Sequence, residues 1–288
     1  MNQFKHIFFF TCFFAGVSSC KVPEAETSQS KFIPSFACVG KRQITKRISV
    51  GKIRSGDYQL LLTYGEARKA SEQRDIFQDA NLGVQAAING GFFSESSYEL
   101  ATWHSVGPLS GIPGHKNGIF RGDTSRPRSC LSWSTAGDFY FDRNQADSNH
   151  RLTSSNYQTL CAGPMVIKDG NSQQEQALCD EQFSSRCRND GAAILSESKS
   201  LPRSGLCLTD QSELMLFHVS HGFLHCGLTI KDMTDWMLQE GCRDGMMLDG
   251  GASAQMILKQ ETEDLQTYHS PWMFHRKVPI WLFVSDRD

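Results

Sequence analysis

Short segments of apolar or alternating apolar and polar residues recur along the chain and predict a fold rich in β-strands. Runs of this kind, bounded by glycine, proline, asparagine or serine, are typical of buried or half-buried strands. The runs are Tyr58–Thr63, Gln85–Ile88, Gly118–Phe120, Asp138–Phe141, Pro164–Ile167, Leu206–Thr209, Leu214–Ser220, Gly245–Leu248, Ala254–Leu258 and Val278–Val284. We therefore expect strands to outnumber helices.

Two segments instead carry the spacing of an amphipathic helix. The clearer one begins at Thr229, whose hydroxyl can cap the helix together with Asp232, and it ends at Gly241. A weaker helix is predicted over Glu66–Gln78. Each helix precedes a predicted strand, and such units among many strands predict an α+β fold. We expect one large domain over residues 36–288, with mixed β-sheets flanked by helices.

Two predicted strands end in one polar residue followed by two glycines. We call these the Asn89 corner (Asn89–Gly91) and the Asp249 corner (Asp249–Gly251). Because glycine lacks a Cβ atom, it allows a ligand to approach the backbone, and its N–H groups can then face an anion. Each corner alone is explained by a tight turn. The two together, with a carboxylate and an amide, favour one polar pocket lined by both.

Motifs in a fixed order surround these corners. In chain order they are Asn89-Gly90-Gly91-Phe92-Phe93, Gly163-Pro164-Met165-Val166 with Asp169-Gly170, Arg203-Ser204-Gly205, and Leu248-Asp249-Gly250-Gly251-Ala252-Ser253. Between Ala86 and Val284 the chain resembles the phosphodiester glycosidase family in these motifs. It departs from the family pattern at Ala252, where glycine is usual, and in polar inserts at 142–157 and 171–189.

The resemblance implies a hydrolase that cleaves a glycosyl phosphodiester or a related glycosidic bond. Such a reaction passes through an oxocarbenium-like transition state, and the phosphate leaves with little need of protonation. It requires a carboxylate near the sugar and a cation or N–H cradle near the phosphate. The resemblance assigns these roles to Asp249 and to Arg203, whose planar guanidinium matches phosphate. A surface salt bridge is the alternative for Arg203.

The remaining site residues follow from the same motifs. Asn89 is predicted to hold a sugar hydroxyl or a phosphate oxygen through its amide, and a turn that closes its own corner is the alternative. The catalytic set is therefore Asp249, Arg203 and Asn89. The predicted substrate-binding residues are Gly90, Gly91, Gly163, Gly250, Gly251 and Ser253.

Other function classes were weighed against this hydrolase. His218, His221 and His225 have a spacing that a metal site could use, since imidazole suits zinc, and they define an alternative metal-dependent hydrolase. A non-catalytic glycan-binding protein of the envelope is a further alternative, which the intact pair of Asp249 and Arg203 disfavours. We predict no metal, no cofactor and a carbohydrate or sugar-phosphate substrate. A formal net charge of -2 without a basic face argues against a nucleic-acid partner.

The N-terminus predicts export. The apolar run Ile7–Val17 is too short to span a bilayer and is typical of a signal peptide, here residues 1–19. The residues before Cys20 resemble a bacterial lipobox, so we predict lipidation of Cys20, and an ordinary signal peptide with Cys20 in a disulfide is the alternative. Residues 20–35 are polar enough to form a tether. Because Lys21 follows Cys20, we expect a membrane anchor in the cell envelope, at the outer membrane facing the periplasm.

The cysteine count agrees with export. Of ten cysteines, eight lie beyond the predicted signal peptide and lipidation site, and an even number in an exported chain predicts disulfides. A bridge between Cys179 and Cys187 would close a polar loop. Cys207 and Cys242 lie in apolar segments and could instead be core thiols.

Overall fold

The computed structural model describes residues 58–94, 96–122, 127–143, 147–187, 197–220, 227–260, 262–269 and 276–286, and the backbone of residues 45–50. The predicted signal peptide, the tether and Cys20 lie outside these ranges, as do His221 and His225. Within the described ranges, no helix has the length and apolar character that crossing a membrane requires.

Strands dominate the described part of the chain, as the sequence predicts. The strands are β1 (Thr45–Val50), β2 (Tyr58–Arg68), β3 (Val84–Asn89), β4 (His104–Val106), β5 (Gly118–Phe120), β6 (Cys130–Ser134), β7 (Phe139–Asp142), β8 (Tyr157–Cys161), β9 (Met165–Lys168), β10 (Asn171–Ser172), β11 (Arg203–Thr209), β12 (Leu214–Val219), β13 (Cys242–Met247), β14 (Gln255–Lys259), β15 (Leu265–His269) and β16 (Val278–Asp286). The helices are α1 (Ala70–Asp79), α2 (Asn149–Leu152), α3 (Gln174–Asp180) and α4 (Ile230–Gln239).

These strands form three sheets. The first has the order β1-β12-β11-β13-β9-β10, the second β15-β14-β3-β16-β2 and the third β5-β4-β8-β6-β7. Every strand pair in the described residues is antiparallel, so the expectation of mixed sheets is wrong. Antiparallel neighbours need no helical crossover, which explains why the fold has fewer helices than an α+β expectation implies.

The first two sheets pack face to face, and helices cover their outer faces. Successive residues of one strand point to opposite faces of the sheet. Accordingly, Leu206 of β11 packs in the core between the sheets with Leu282 of β16, whereas Cys207 packs with Met233 of α4. On the outer face of the second sheet, α1 contributes Phe77 to a separate cluster.

The predicted helices are found with one shifted boundary. α4 is capped as predicted, because Thr229 Oγ1 accepts a hydrogen bond from Asp232 N at 3.1 Å, and Gly241 follows its end with φ 85°. α1 begins at Ala70 instead of Glu66. β2 continues to Arg68, which pairs with Val278, so sheet pairing overrides the local helical preference there.

Three disulfides connect the described residues. They are Cys130–Cys161, Cys179–Cys187 and Cys207–Cys242. The bridge that closes the polar loop is confirmed. The core-thiol alternative for Cys207 and Cys242 is wrong, because these residues lie on adjacent strands with Cα atoms 5.7 Å apart, within disulfide reach.

Candidate active site

The predicted site residues meet at one end of the first two sheets. There β3 and β13 end, and β11 and β14 begin. The Asp249 amide donates a hydrogen bond to Gly90 O at 3.2 Å, and Gly251 N donates to Pro202 O at 2.9 Å. The Asn89 corner, the Asp249 corner and the start of β11 therefore lie side by side, although they are far apart in sequence.

Asn89 links these segments. Its Nδ2 donates to Asp249 O at 2.7 Å, and its Oδ1 accepts from Ser204 Oγ at 2.7 Å and from Gln255 N at 3.0 Å. The residue is 1% exposed. Because both polar atoms of the amide are engaged inside the protein, the geometry gives Asn89 a positioning role and not the expected direct contact with substrate.

The glycines of the Asn89 corner are required by packing. A Cβ atom added at Gly90 would lie 2.7 Å from Ile280 Cγ2, and one added at Gly91 would clash with the backbone oxygen of Cys161. The Gly90 amide donates to Ile280 O at 2.9 Å. The expectation that this N–H faces an anion is therefore wrong, because the sheet uses it.

The Asp249 corner is open by comparison. Asp249, Gly250 and Gly251 are half-buried. Gly251 has φ 60°, and no atom lies within 4 Å of the position that its Cβ would occupy. Residues other than glycine rarely adopt a left-handed conformation and leave such free space beside the backbone. Asp249 is thus partly accessible to solvent at this open turn.

Arg203 lies beneath this open turn. It is 2% exposed, and its Nε and Nη2 donate to the backbone oxygens of Leu228 and Lys199, both at 3.0 Å. Its Nη1 is 3.9 Å from the position of a Cβ on Gly250. Burial lowers the pKa of Arg203 to about 10, so the guanidinium stays charged at neutral pH. The surface salt bridge is excluded, and a fixed positive charge supports the Asp249 corner.

Gly163 supports the wall behind the Asn89 corner. Its φ is 93°, and a Cβ atom there would clash with the carboxylate of Glu181. Glu181 is buried and accepts hydrogen bonds from Ser129 Oγ at 2.7 Å and from Met165 N at 2.7 Å. Burial raises the pKa of Glu181 to about 7. Gly163 therefore has a packing role, and its contact with substrate stays a prediction.

Sequence reasoning missed two residues that complete this end of the sheets. Gln255 Oε1 accepts from Ala70 N at 2.8 Å, and its Nε2 donates to Arg276 O at 2.7 Å. Arg276 N in turn donates to Ala252 O at 2.9 Å. A buried glutamine at the start of an apolar strand is the one signal that could have identified this link, because buried polar side chains require partners.

His218 and Ser253 are buried at the same end. Each is 0% exposed. Burial, with a smaller contribution from His269, lowers the pKa of His218 to about 3 and keeps its imidazole neutral. As far as the structure describes the chain, it holds no group of three or more histidine, cysteine, aspartate or glutamate side chains suited to a metal ion.

Comparison with known proteins identifies the family. A family model for phosphodiester glycosidases matches residues 82–285. The fold is similar to the catalytic domain of zebrafish N-acetylglucosamine-1-phosphodiester alpha-N-acetylglucosaminidase auto-inhibited by its pro-peptide, with a TM-score of 0.64 and 14% identity over 92% of this chain and 86% of that chain. A candidate exported protein from Burkholderia pseudomallei has a TM-score of 0.53 and 11% identity over 85% of this chain and 74% of that chain.

The match covers the whole site. No curated protein sequence matches this chain. The two structural similarities, at such low identity, concern the fold alone. The family match includes Asn89, Arg203 and Asp249 within one continuous range. Because that range covers most of the chain, the protein belongs to the phosphodiester glycosidase family.

Proposed function

We propose that this phosphodiester glycosidase hydrolyses a sugar-1-phosphodiester at the Asp249 corner. One observation carries the proposal: the half-buried Asp249 lies on an open glycine turn, and the buried, charged Arg203 lies against the same turn. Family membership supports a hydrolase of phosphodiester-linked sugars. An N-acetylglucosamine 1-phosphodiester is the first substrate to test, since the similar zebrafish enzyme is named for that bond.

The two charges suit the two parts of the scissile bond. In the transition state positive charge develops at the anomeric carbon, where the Asp249 carboxylate stabilises it. Negative charge develops on the departing phosphate, which the Arg203 guanidinium stabilises from beneath the turn. Water supplies the hydroxyl to the anomeric carbon, and its proton leaves to the phosphate or to solvent. Because the phosphate departs readily, one carboxylate suffices.

Asn89 positions this pair. Its amide fixes the Asp249 backbone oxygen, while its own oxygen holds Ser204, the residue next to Arg203. The same buried side chain thereby fixes the backbone of Asp249 and the residue next to Arg203. Preorganised charges stabilise a transition state without a cost of reorganisation during the reaction.

Isotope labelling tests the reaction class. The protein is incubated in ¹⁸O-water with α- and β-linked sugar-1-phosphodiesters, and the products are identified by mass. We expect ¹⁸O at the anomeric hydroxyl of the free sugar and none in the phosphomonoester. Label in the phosphate would mean cleavage of the phosphorus–oxygen bond and would overturn the proposal. Asp249→Asn serves as the inactive reference.

The location in the cell envelope is a separate part of the proposal. Cys20 carries the lipid, and the protein faces the periplasm at the outer membrane of a bacterium. The three disulfides support an oxidising compartment. We expect Cys20→Ser to abolish labelling by a fatty-acid probe and to release the protein from membranes. A wild-type protein without lipid that stays on membranes would contradict this location.

A further inference from the structure

His218 is a buried side chain with unmet hydrogen-bonding capacity. It lies near the end of β12 and is 0% exposed, and neither Nδ1 nor Nε2 has a hydrogen-bond partner among the described residues. Burying a polar group without a partner destabilises a protein, and native structures contain few such groups. His104, also fully buried, has a partner for one of its two nitrogens, since its Nε2 is 2.8 Å from Thr102 Oγ1, whereas both nitrogens of His218 lack one among the described residues.

The strand register places His218 on the face of the active site. His218 pairs directly with Ser204 of β11, and residues paired across antiparallel strands project from the same face of the sheet. The Ser204 hydroxyl donates to Asn89 Oδ1 at 2.7 Å. The His218 imidazole therefore projects toward the junction where Asn89 holds the backbone of Asp249.

A second unpartnered group lies at the same end of the sheets. The Ser253 hydroxyl is buried on the short helical turn Gly251–Ser253 that follows Asp249, and the part of the chain that the structure describes offers it no hydrogen-bond partner. An imidazole and a hydroxyl at one end of the sheets thus both lack the partners that buried polar groups require. A ligand rich in hydroxyl groups supplies such partners.

We infer that His218 binds a hydroxyl group of the substrate sugar and determines which sugar the enzyme accepts, with the Ser253 hydroxyl at the same end of the sheets. This inference rests on the proposed sugar site at the Asp249 corner. A neutral imidazole donates through one nitrogen and accepts through the other, which matches a hydroxyl group. Burial holds the pKa of His218 near 3, so the ring is neither a cation for phosphate nor a base at neutral pH.

The ring is enclosed in the structure, so contact requires local opening. The turn after Asp249 has space for such a movement, because no atom lies within 4 Å of the Cβ position at Gly251. A sugar bound there would also exclude water from the Asp249 carboxylate. Removal of His218 should therefore affect the bound sugar more than the folded protein.

The substitution His218→Phe distinguishes a substrate-binding role of His218 from a purely structural role. Phenylalanine fills a similar volume and removes the unmet nitrogens, so we expect the melting temperature to rise by about 2–4 °C. We expect kcat/KM for the methyl diester of N-acetylglucosamine 1-phosphate to fall by about tenfold or more, since a missing partner for a substrate hydroxyl is costly. His218→Gln should recover part of the activity. His150→Phe, a substitution at an exposed histidine of α2, should change neither quantity.

Two readouts keep this inference apart from the proposed reaction. The thermal shift produced by N-acetylglucosamine 1-phosphate should be present in wild type and lost in His218→Phe, even if no diester in the panel is cleaved. Activity of His218→Phe within twofold of wild type, or an unchanged thermal shift, would overturn the inference. So would loss of wild-type activity with a chelator and recovery with zinc, because His218 would then be a metal ligand.

Discussion

The Asn89 and Asp249 corners have nearly the same sequence but different physical roles. At the Asn89 corner the side chain and both glycines are buried, and added Cβ atoms would collide with Ile280 and with the backbone of Cys161. At the Asp249 corner all three residues are half-buried, and the space beside Gly251 is empty. One corner uses glycine for close packing between strands, and the other uses it for a left-handed turn that stays open.

The difference shows how the fold holds a reactive carboxylate at its surface. Asn89 is rigid because the second sheet surrounds it, and its amide holds the Asp249 backbone at 2.7 Å. In the proposed mechanism the closed corner thus provides the support, and the open corner carries the chemistry. Substitutions in the two corners should therefore separate stability from activity.

Asp249→Asn should have the largest effect. It retains size and hydrogen bonding but removes the charge that stabilises the anomeric centre, so we expect kcat/KM to fall by about a thousandfold. The melting temperature should stay within about 2 °C of wild type, since the side chain is not part of the core. The matched control is Asp235→Asn on the exposed surface of α4, which should retain full activity. A rate within twofold of wild type would show that Asp249 is structural.

Gly91→Ala tests the closed corner. The added methyl group would collide with a backbone oxygen, which cannot move as a flexible side chain can, so we expect a loss of about 3 kcal/mol in the free energy of unfolding. Chemical denaturation measures this loss. Activity per folded molecule should fall much less than in Asp249→Asn. A variant as stable as wild type would mean that the corner is looser than its geometry indicates.

Glu181 provides a pH test of the packing behind the closed corner. Burial raises the pKa of Glu181 in the folded protein to about 7, above its ordinary value of 4.5. Between pH 4.5 and 7 the unfolded state binds fewer protons than the folded state. The contribution of Glu181 to the free energy of unfolding is therefore complete below pH 4.5 and is lost as the pH rises through 7. Between pH 5 and 7 we expect wild type to lose about 2 kcal/mol relative to Glu181→Gln.

The Glu181→Gln comparison also removes the effect of the buried histidines. The pKa values of His104 and His218 are lowered to about 3, so their contributions are lost as the pH falls below 6.5, which is the opposite direction. These contributions occur in both proteins and cancel in the difference. A difference that stays constant from pH 5 to 7 would show that Glu181 is ionised in the folded protein at pH 5.

Local patterns predicted the features that depend on local interactions. The capping pair of Thr229 and Asp232 and the strand runs are such features, because each is determined by neighbours in sequence. The sequence could not specify that β2 continues to Arg68, since pairing with β16 decides that boundary. Similarly, the even cysteine count predicted bridges, but only strand adjacency joins Cys207 to Cys242.

The sequence predicted which residues lie at the site better than it predicted the role of each residue. The motifs identified Asp249 and Arg203, which the fold places at one open turn. Asn89 and Gly163 belong to the same motifs, yet long-range contacts with Ser204 and Glu181 give them supporting roles. The motif identifies these residues, but only their packing in the fold distinguishes a role in binding substrate from a role in supporting the protein.

Gly251→Ala is the direct counterpart of Gly91→Ala and should have the smaller effect on stability of these two glycine substitutions. The backbone at Gly251 has φ 60°, and the space beside it is empty, so the methyl group of alanine would contact no other atom. The expected loss of stability comes only from the left-handed conformation, which costs alanine about 1–2 kcal/mol. Activity should fall further than this loss implies, because a small change of backbone angle moves the adjacent carboxylate. We expect kcat to fall by about tenfold at saturating substrate. A larger loss of stability than in Gly91→Ala, measured under the same denaturing conditions, would reverse the assignment of the open and closed corners.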